Sequence, residues 1–185
     1  MSRPLRWMLA LGVVLLVVGL VAIVGTRVLS SEFVRPQNSV PDAYRALVIS
    51  SADRCPKLPA SVLAAQIATE SGWNPKAVSG AGAEGIAQFI PQTWKDYGID
   101  ASGDGVKDVF DPEDAIPSAA TFMCRLFDEV KSVEGDPLSL ALAAYNAGPS
   151  RVRKYGGIPP FPETQQYVRL ILDRAADPDF AALDR

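Results

Sequence analysis

Hydrophobic residues follow two regimes along this chain. From Trp7 to Gly25 they are unbroken, with no charged or strongly polar residue. At about 1.5 Å per helical residue the run reaches roughly 28 Å, close to the hydrocarbon thickness of a bilayer. Beyond Pro41 they recur at intervals of three and four, the period of helices that bury one face. Asp42 can cap a first helix with Tyr44, Leu47, Val48 and Ser51 on one side, ending before Cys55-Pro56. Leu58-Pro59 introduces a second, through Val62, Leu63, Ile67 and Glu70, stopped by Gly72 and Asn74-Pro75.

After a small, glycine-rich stretch from Val78 to Gly85, Pro91 suits the start of a short helix ending near Gly98. Asp111-Pro112-Glu113-Asp114 opens a long helix with Ile116, Ala120, Met123, Phe127 and Val130 on one face, although Pro117 argues for a later start. Asp136-Pro137 opens another through Leu138, Ala141, Leu142 and Tyr145, closed by Gly148-Pro149, and a last one runs from about Pro162 to Ala176. No alternating strand pattern occurs, so the expected fold class is all-α.

The pattern divides the chain into a membrane segment over 1–27, a linker over 28–40 and one domain over 41–185. Arg3 and Arg6 precede the apolar run, which favours a cytoplasmic N-terminus and an extracytoplasmic domain, although Arg27 and Arg35 blunt the asymmetry. The run is long for the core of a cleaved signal peptide, and no clear cleavage site follows it. An uncleaved single-pass anchor is the preferred expectation and secretion the alternative. In an oxidising exterior Cys55 and Cys124 can form a disulfide; the alternative is two buried thiols.

The chain has no histidine, which removes Ser/His/Asp triads, Cys/His dyads and imidazole-based zinc sites. Residues 28–185 carry 15 basic against 21 acidic side chains, so nucleic acid is not an expected partner. What remains is carboxylate chemistry. Leu63, Ile67 and Glu70 stand at i, i+4 and i+7, which sets a carboxylate at the end of an apolar stripe. A solvated carboxylate near a helix end is the plain reading. Desolvation beside that stripe would instead raise its pKa and suit it to general-acid protonation of a departing sugar oxygen.

Glu70-Ser71-Gly72, the run from Gly85 to Pro91, Ala144-Tyr145-Asn146-Ala147-Gly148 and the run from Glu163 to Val168 resemble four ordered motifs of the soluble-type lytic transglycosylase domain. The resemblance covers Pro41 to about Ala176 and implies a lysozyme-like helical catalytic domain. It implies peptidoglycan glycan strands as substrate, with Glu70 as the single catalytic acid. Glu70 would protonate the β-1,4 bond between N-acetylmuramic acid and N-acetylglucosamine. It would then accept the proton of the muramoyl C6 hydroxyl as a 1,6-anhydro ring closes.

The resemblance further implies substrate-binding or orienting roles for Ser71, Gly85, Gln88, Tyr145, Asn146 and Tyr167. Each has a structural alternative: core packing for Tyr145 and Tyr167, helix termination for Asn146, and loop hydrogen bonding for Ser71 and Gln88. Gly85 is expected to let the backbone approach a sugar closely. Ile86-Ala87 stands where the family usually has Leu-Met, which trims bulk beside the groove. Phe89, Trp94 and Tyr97 are read as core.

Asp100, Ser102, Asp104 and the Val106 carbonyl have the spacing of half an EF-hand. The segment through Ile116 resembles the lengthened calcium loop of family-B membrane-bound lytic transglycosylases, which would make Asp114 the closing ligand. A structural Ca2+ is thus one expectation and a self-capped acidic turn the other, with no cofactor expected for catalysis. Two other functions compete: a hydrolytic muramidase of the same fold, and a non-catalytic wall-binding protein.

Overall fold

A computed structural model describes residues 39–185. The expected membrane segment and nearly all of the linker lie outside the described residues. Among those described, α1 (Asp42–Ala52), α2 (Ala60–Ser71), α3 (Pro91–Tyr97), α4 (Pro112–Val130), α5 (Pro137–Ala147), α6 (Pro149–Tyr155), α7 (Pro162–Ala175) and α8 (Pro178–Ala181) precede a 3-10 turn over Ala182–Asp184. The all-α expectation holds for these residues. No helix among them is long and apolar enough to cross a membrane.

The central element is α2, whose residues from Ala60 to Ala68 are all buried. A helix apolar all round has to be enclosed, and α1, α7, α8 and the 3-10 turn pack against it. Pro59 precedes it and offers no side-chain cap. The Ser61 amide donates instead to Asp184 from the far end of the chain, at 2.9 Å. At the other end Gly72 adopts a left-handed conformation, φ 60°, which terminates the helix one turn beyond the core. Glu70 lies in that last, partly open turn.

α5 packs against α4, α6 and α7. α4 carries its five expected apolar positions buried, and Asp111 caps it by accepting the Glu113 amide at 2.9 Å. Two details differ from expectation. Asp42 is the first helical residue rather than the cap, which is Pro41. Pro117 lies inside α4 instead of delaying its start. The carbonyl it leaves unpaired, four residues earlier, belongs to exposed Glu113, where water can serve it.

Cys55 and Cys124 form a disulfide that ties the turn after α1 to α4. Phe89 packs on Trp94, Phe122 and Tyr145 with ring centroids 5.3–6.1 Å apart, and Tyr97 stacks on Phe122 at 4.8 Å. This cluster accounts for the aromatics read as core and forms a stiff wall behind the end of α5.

Candidate active site

The C-terminal ends of α2 and α5 and the first turns of α7 converge on a cleft of about 490 Å3 that contains Glu70, Asn146, Glu163 and Tyr167. Over the whole residue Glu70 is half-buried, but its carboxyl is enclosed. Burial drives its pKa up from 4.5 to about 7, and a hydrogen bond from Tyr167 opposes that rise. The Tyr167 hydroxyl donates to Glu70 Oε1 at 2.6 Å. Near neutral pH, the carboxyl is therefore poised between its acid and base forms.

Burial and the nearby charge of Glu70 raise the pKa values of Tyr145 and Tyr167 well above 10. Both phenols stay protonated and act as donors. Tyr145 donates to the Ala87 carbonyl at 2.9 Å, so it anchors the Gly85–Ile90 loop rather than touching the acid. Asn146 Oδ1 accepts from Thr164 Oγ1 at 2.7 Å. That bond leaves the Asn146 amide N–H groups for the cleft. Thr164 is 2% exposed and is a site residue the sequence reading passed over. It lies within the fourth motif, and a buried hydroxyl needs a partner.

Two more expected ligands, like Tyr145, are turned toward the backbone. Ser71 Oγ donates to the Ile86 carbonyl at 2.7 Å. Gln88 Nε2 donates to the carbonyls of Gly85 at 2.9 Å and Ala77 at 3.2 Å. Gln88 has φ 52°, a conformation costly for a side-chain-bearing residue. Together with bridges from Glu84 to Val78 and Phe89, these bonds fix the loop that adjoins Glu70. Gln88 and Tyr145 line a smaller hollow of about 140 Å3 beside it. Packing within the protein itself requires glycine at Gly85. Its φ is 76°, and a Cβ there would stand 2.0 Å from the Val109 carbonyl oxygen, so the close approach is to the protein's own chain.

Glu163 is a second carboxylate in the cleft that the sequence reading did not assign a role. A second hollow, about 680 Å3, lies beside Ile49, Leu58 and Leu183. Its Asp184 already serves the Ser61 amide.

The 100–114 loop is held by its own amides. Asp100 accepts from Gly103 and Gly105 at 2.7 and 2.9 Å, and Asp104 from Val106 at 2.8 Å. Asp114, 1% exposed, accepts from Ala101, Ser102 and Asp108 at 2.8–3.0 Å. Among the described residues no three acidic side chains gather where they could hold a metal ion. With its carboxylates serving backbone amides, the loop here has the arrangement of the self-capped turn.

Residues 48–168 match the family model described as the transglycosylase SLT domain. Membrane-bound lytic murein transglycosylase F of Maricaulis maris is 40% identical over 116 residues, covering 62% of this chain and 24% of the relative. The soluble lytic murein transglycosylase of Salmonella typhimurium is 34% identical over 121 residues, 56% of this chain and 18% of the relative. The chain thus spans under a quarter of the length of these relatives. Among solved structures, the 70 kDa soluble lytic transglycosylase of Escherichia coli aligns with a TM-score of 0.60 and 28% identity, over 79% of this chain and 26% of that one.

Proposed function

We propose, on the premise that the chain belongs to the transglycosylase SLT domain family, that it cleaves peptidoglycan glycan strands between N-acetylmuramic acid and N-acetylglucosamine, with Glu70 as acid and then base. The observation that carries this reading is the enclosed Glu70 carboxyl, raised to about 7 and bonded by Tyr167.

Burial keeps a proton available on Glu70 at neutral pH for transfer to the glycosidic oxygen as the C1–O bond breaks. The carboxylate that results is stabilised by the Tyr167 hydroxyl. It then removes the proton of the muramoyl C6 hydroxyl as O6 bonds to C1, which closes the anhydro ring and restores the acid. The two opposing influences on Glu70 match these two duties. Asn146, oriented by Thr164, presents its amide to the sugar's N-acetyl group. Ser71, Gln88 and Tyr145 act one step back, by holding the loop beside the acid.

Hydrolysis is the second reading. It is favoured by Glu163, which places another carboxylate in the same cleft and could activate water in place of the C6 hydroxyl. The membrane segment at 1–27 would hold the domain on the outer face of the membrane, and the naming of the Maricaulis maris relative as membrane-bound supports that placement. Calcium at the 100–106 donors has the spacing and the loop resemblance in its favour, and no step is routed through it. Glu70→Gln tests the catalytic assignment against a wall-binding role. The variant should fold and bind sacculi as wild type does, yet release no soluble glycan; equal release by both would remove Glu70 from the mechanism.

A further inference from the structure

Gln66 is fully buried, at 0% exposure, and neither its Nε2 nor its Oε1 has a hydrogen-bond partner. A buried amide left unpaired costs stability, and an apolar residue of similar size would remove that cost. The residue stands on α2 one turn before Glu70, at i and i+4, so both side chains lie along the same side of the helix. α7 packs against this helix. It supplies Tyr167, whose hydroxyl bridges to Glu70. The packing of α7 on α2 brings the Gln66 side chain close enough to that hydroxyl for the amide to act to lower the phenol's pKa, although no hydrogen bond of normal geometry joins the two.

Resting on the proposed function, we infer that Gln66 is a positioning residue. It donates its Nε2–H to Tyr167 Oη when Glu70 gives up its proton, and so aims and strengthens the tyrosine's hydrogen bond to the new carboxylate. A phenol that accepts a hydrogen bond becomes a better donor, because the two bonds polarise one another. The amide has no other partner to lose, so a small shift suffices to make the bond. Gln66 therefore acts only through Tyr167 and touches no substrate. Among the described residues, the ionisable groups near the acid are Tyr145 from α5 with Tyr167, Glu163 and Arg174 from α7, the last bonded to Thr69 Oγ1 at 2.7 Å. Gln66 supports Tyr167.

Gln66→Met and Gln66→Leu keep the volume and remove the amide. Both should melt no lower than wild type, because they delete an unpaired buried group. They should nonetheless cleave peptidoglycan about tenfold more slowly. The alkaline limb of kcat/KM should move up by roughly half a pH unit, since a weaker Tyr167 bond leaves the Glu70 carboxylate less stable. In a Tyr167→Phe background neither change should have any further effect. Titration of the Glu70 carboxyl by carbon NMR should show the same upward shift without any substrate. That readout keeps the inference separate from the catalytic reading: a shift in a protein that cleaves nothing would sink the function and leave the positioning role. An unchanged limb and an unchanged Glu70 titration in both variants, or an effect that persists undiminished beside Tyr167→Phe, would overturn the inference.

Discussion

Glu70 is a residue whose neighbours pull it in opposite directions. Enclosure at the end of an apolar helix raises its pKa to about 7, while the Tyr167 hydroxyl draws it down. Activity that needs the protonated acid should fall as pH rises through about 7. Tyr167→Phe removes the influence that lowers the pKa, so its alkaline limb should lie higher while the rate on the plateau falls. A pH profile of glycan release for both proteins checks this, and a limb shifted downward would contradict it. The apolar stripe of Leu63, Ile67 and Glu70 made the acid legible in the sequence, because a period of three to four residues fixes which side chains share a face. Tyr167's bond to it was not legible, since the two residues are 97 positions apart and only the packing of α7 on α2 joins them.

At the scale of elements, local signals served well wherever capping chemistry was strong. Gly72, Pro91, Asp111, Asp136 and Pro162 mark helix ends within a residue or two of their observed places. The short α6 and α8 went unread although Pro149 and Pro178 open them. Gly148-Pro149 signals the close of α5, and the same pair also begins α6. The loop from Ala77 to Ile90 has no periodicity to read. Its shape comes from side chains that bond to backbone: Ser71, Gln88 and Tyr145. Gly85→Ala should destabilise the protein by about 3 kcal/mol or more in urea denaturation, because the added Cβ meets the Val109 carbonyl in a left-handed backbone. A loss of under about 1 kcal/mol would mean that the loop yields easily.

The 100–114 loop shows how one spacing serves two chemistries. Aspartates at alternate positions beside glycines suit an EF-hand, and they equally suit turns in which carboxylates accept backbone amides. With Asp114 already bonded to three amides, the melting temperature should be the same in excess calcium and in chelator. A rise with calcium that Asp104→Ala abolishes would establish the metal reading instead.

For the whole molecule, the family and the all-α architecture were accessible from four short motifs and from helix periodicity. The site's internal wiring was not. Thr164 beneath Asn146, Glu163 across the cleft and the unpaired Gln66 amide all depend on helices that meet only in the folded protein. That wiring bears on the open chemical question, which nucleophile finishes the reaction, because Glu163 gives water a second carboxylate to work with. The decisive measurement is mass spectrometry of the muropeptides released from intact sacculi. A transglycosylase with Glu70 as acid and base yields muramoyl ends that are anhydro, each lighter by one water than a reducing end. Reducing ends as the primary product would contradict the account and make the enzyme a hydrolase.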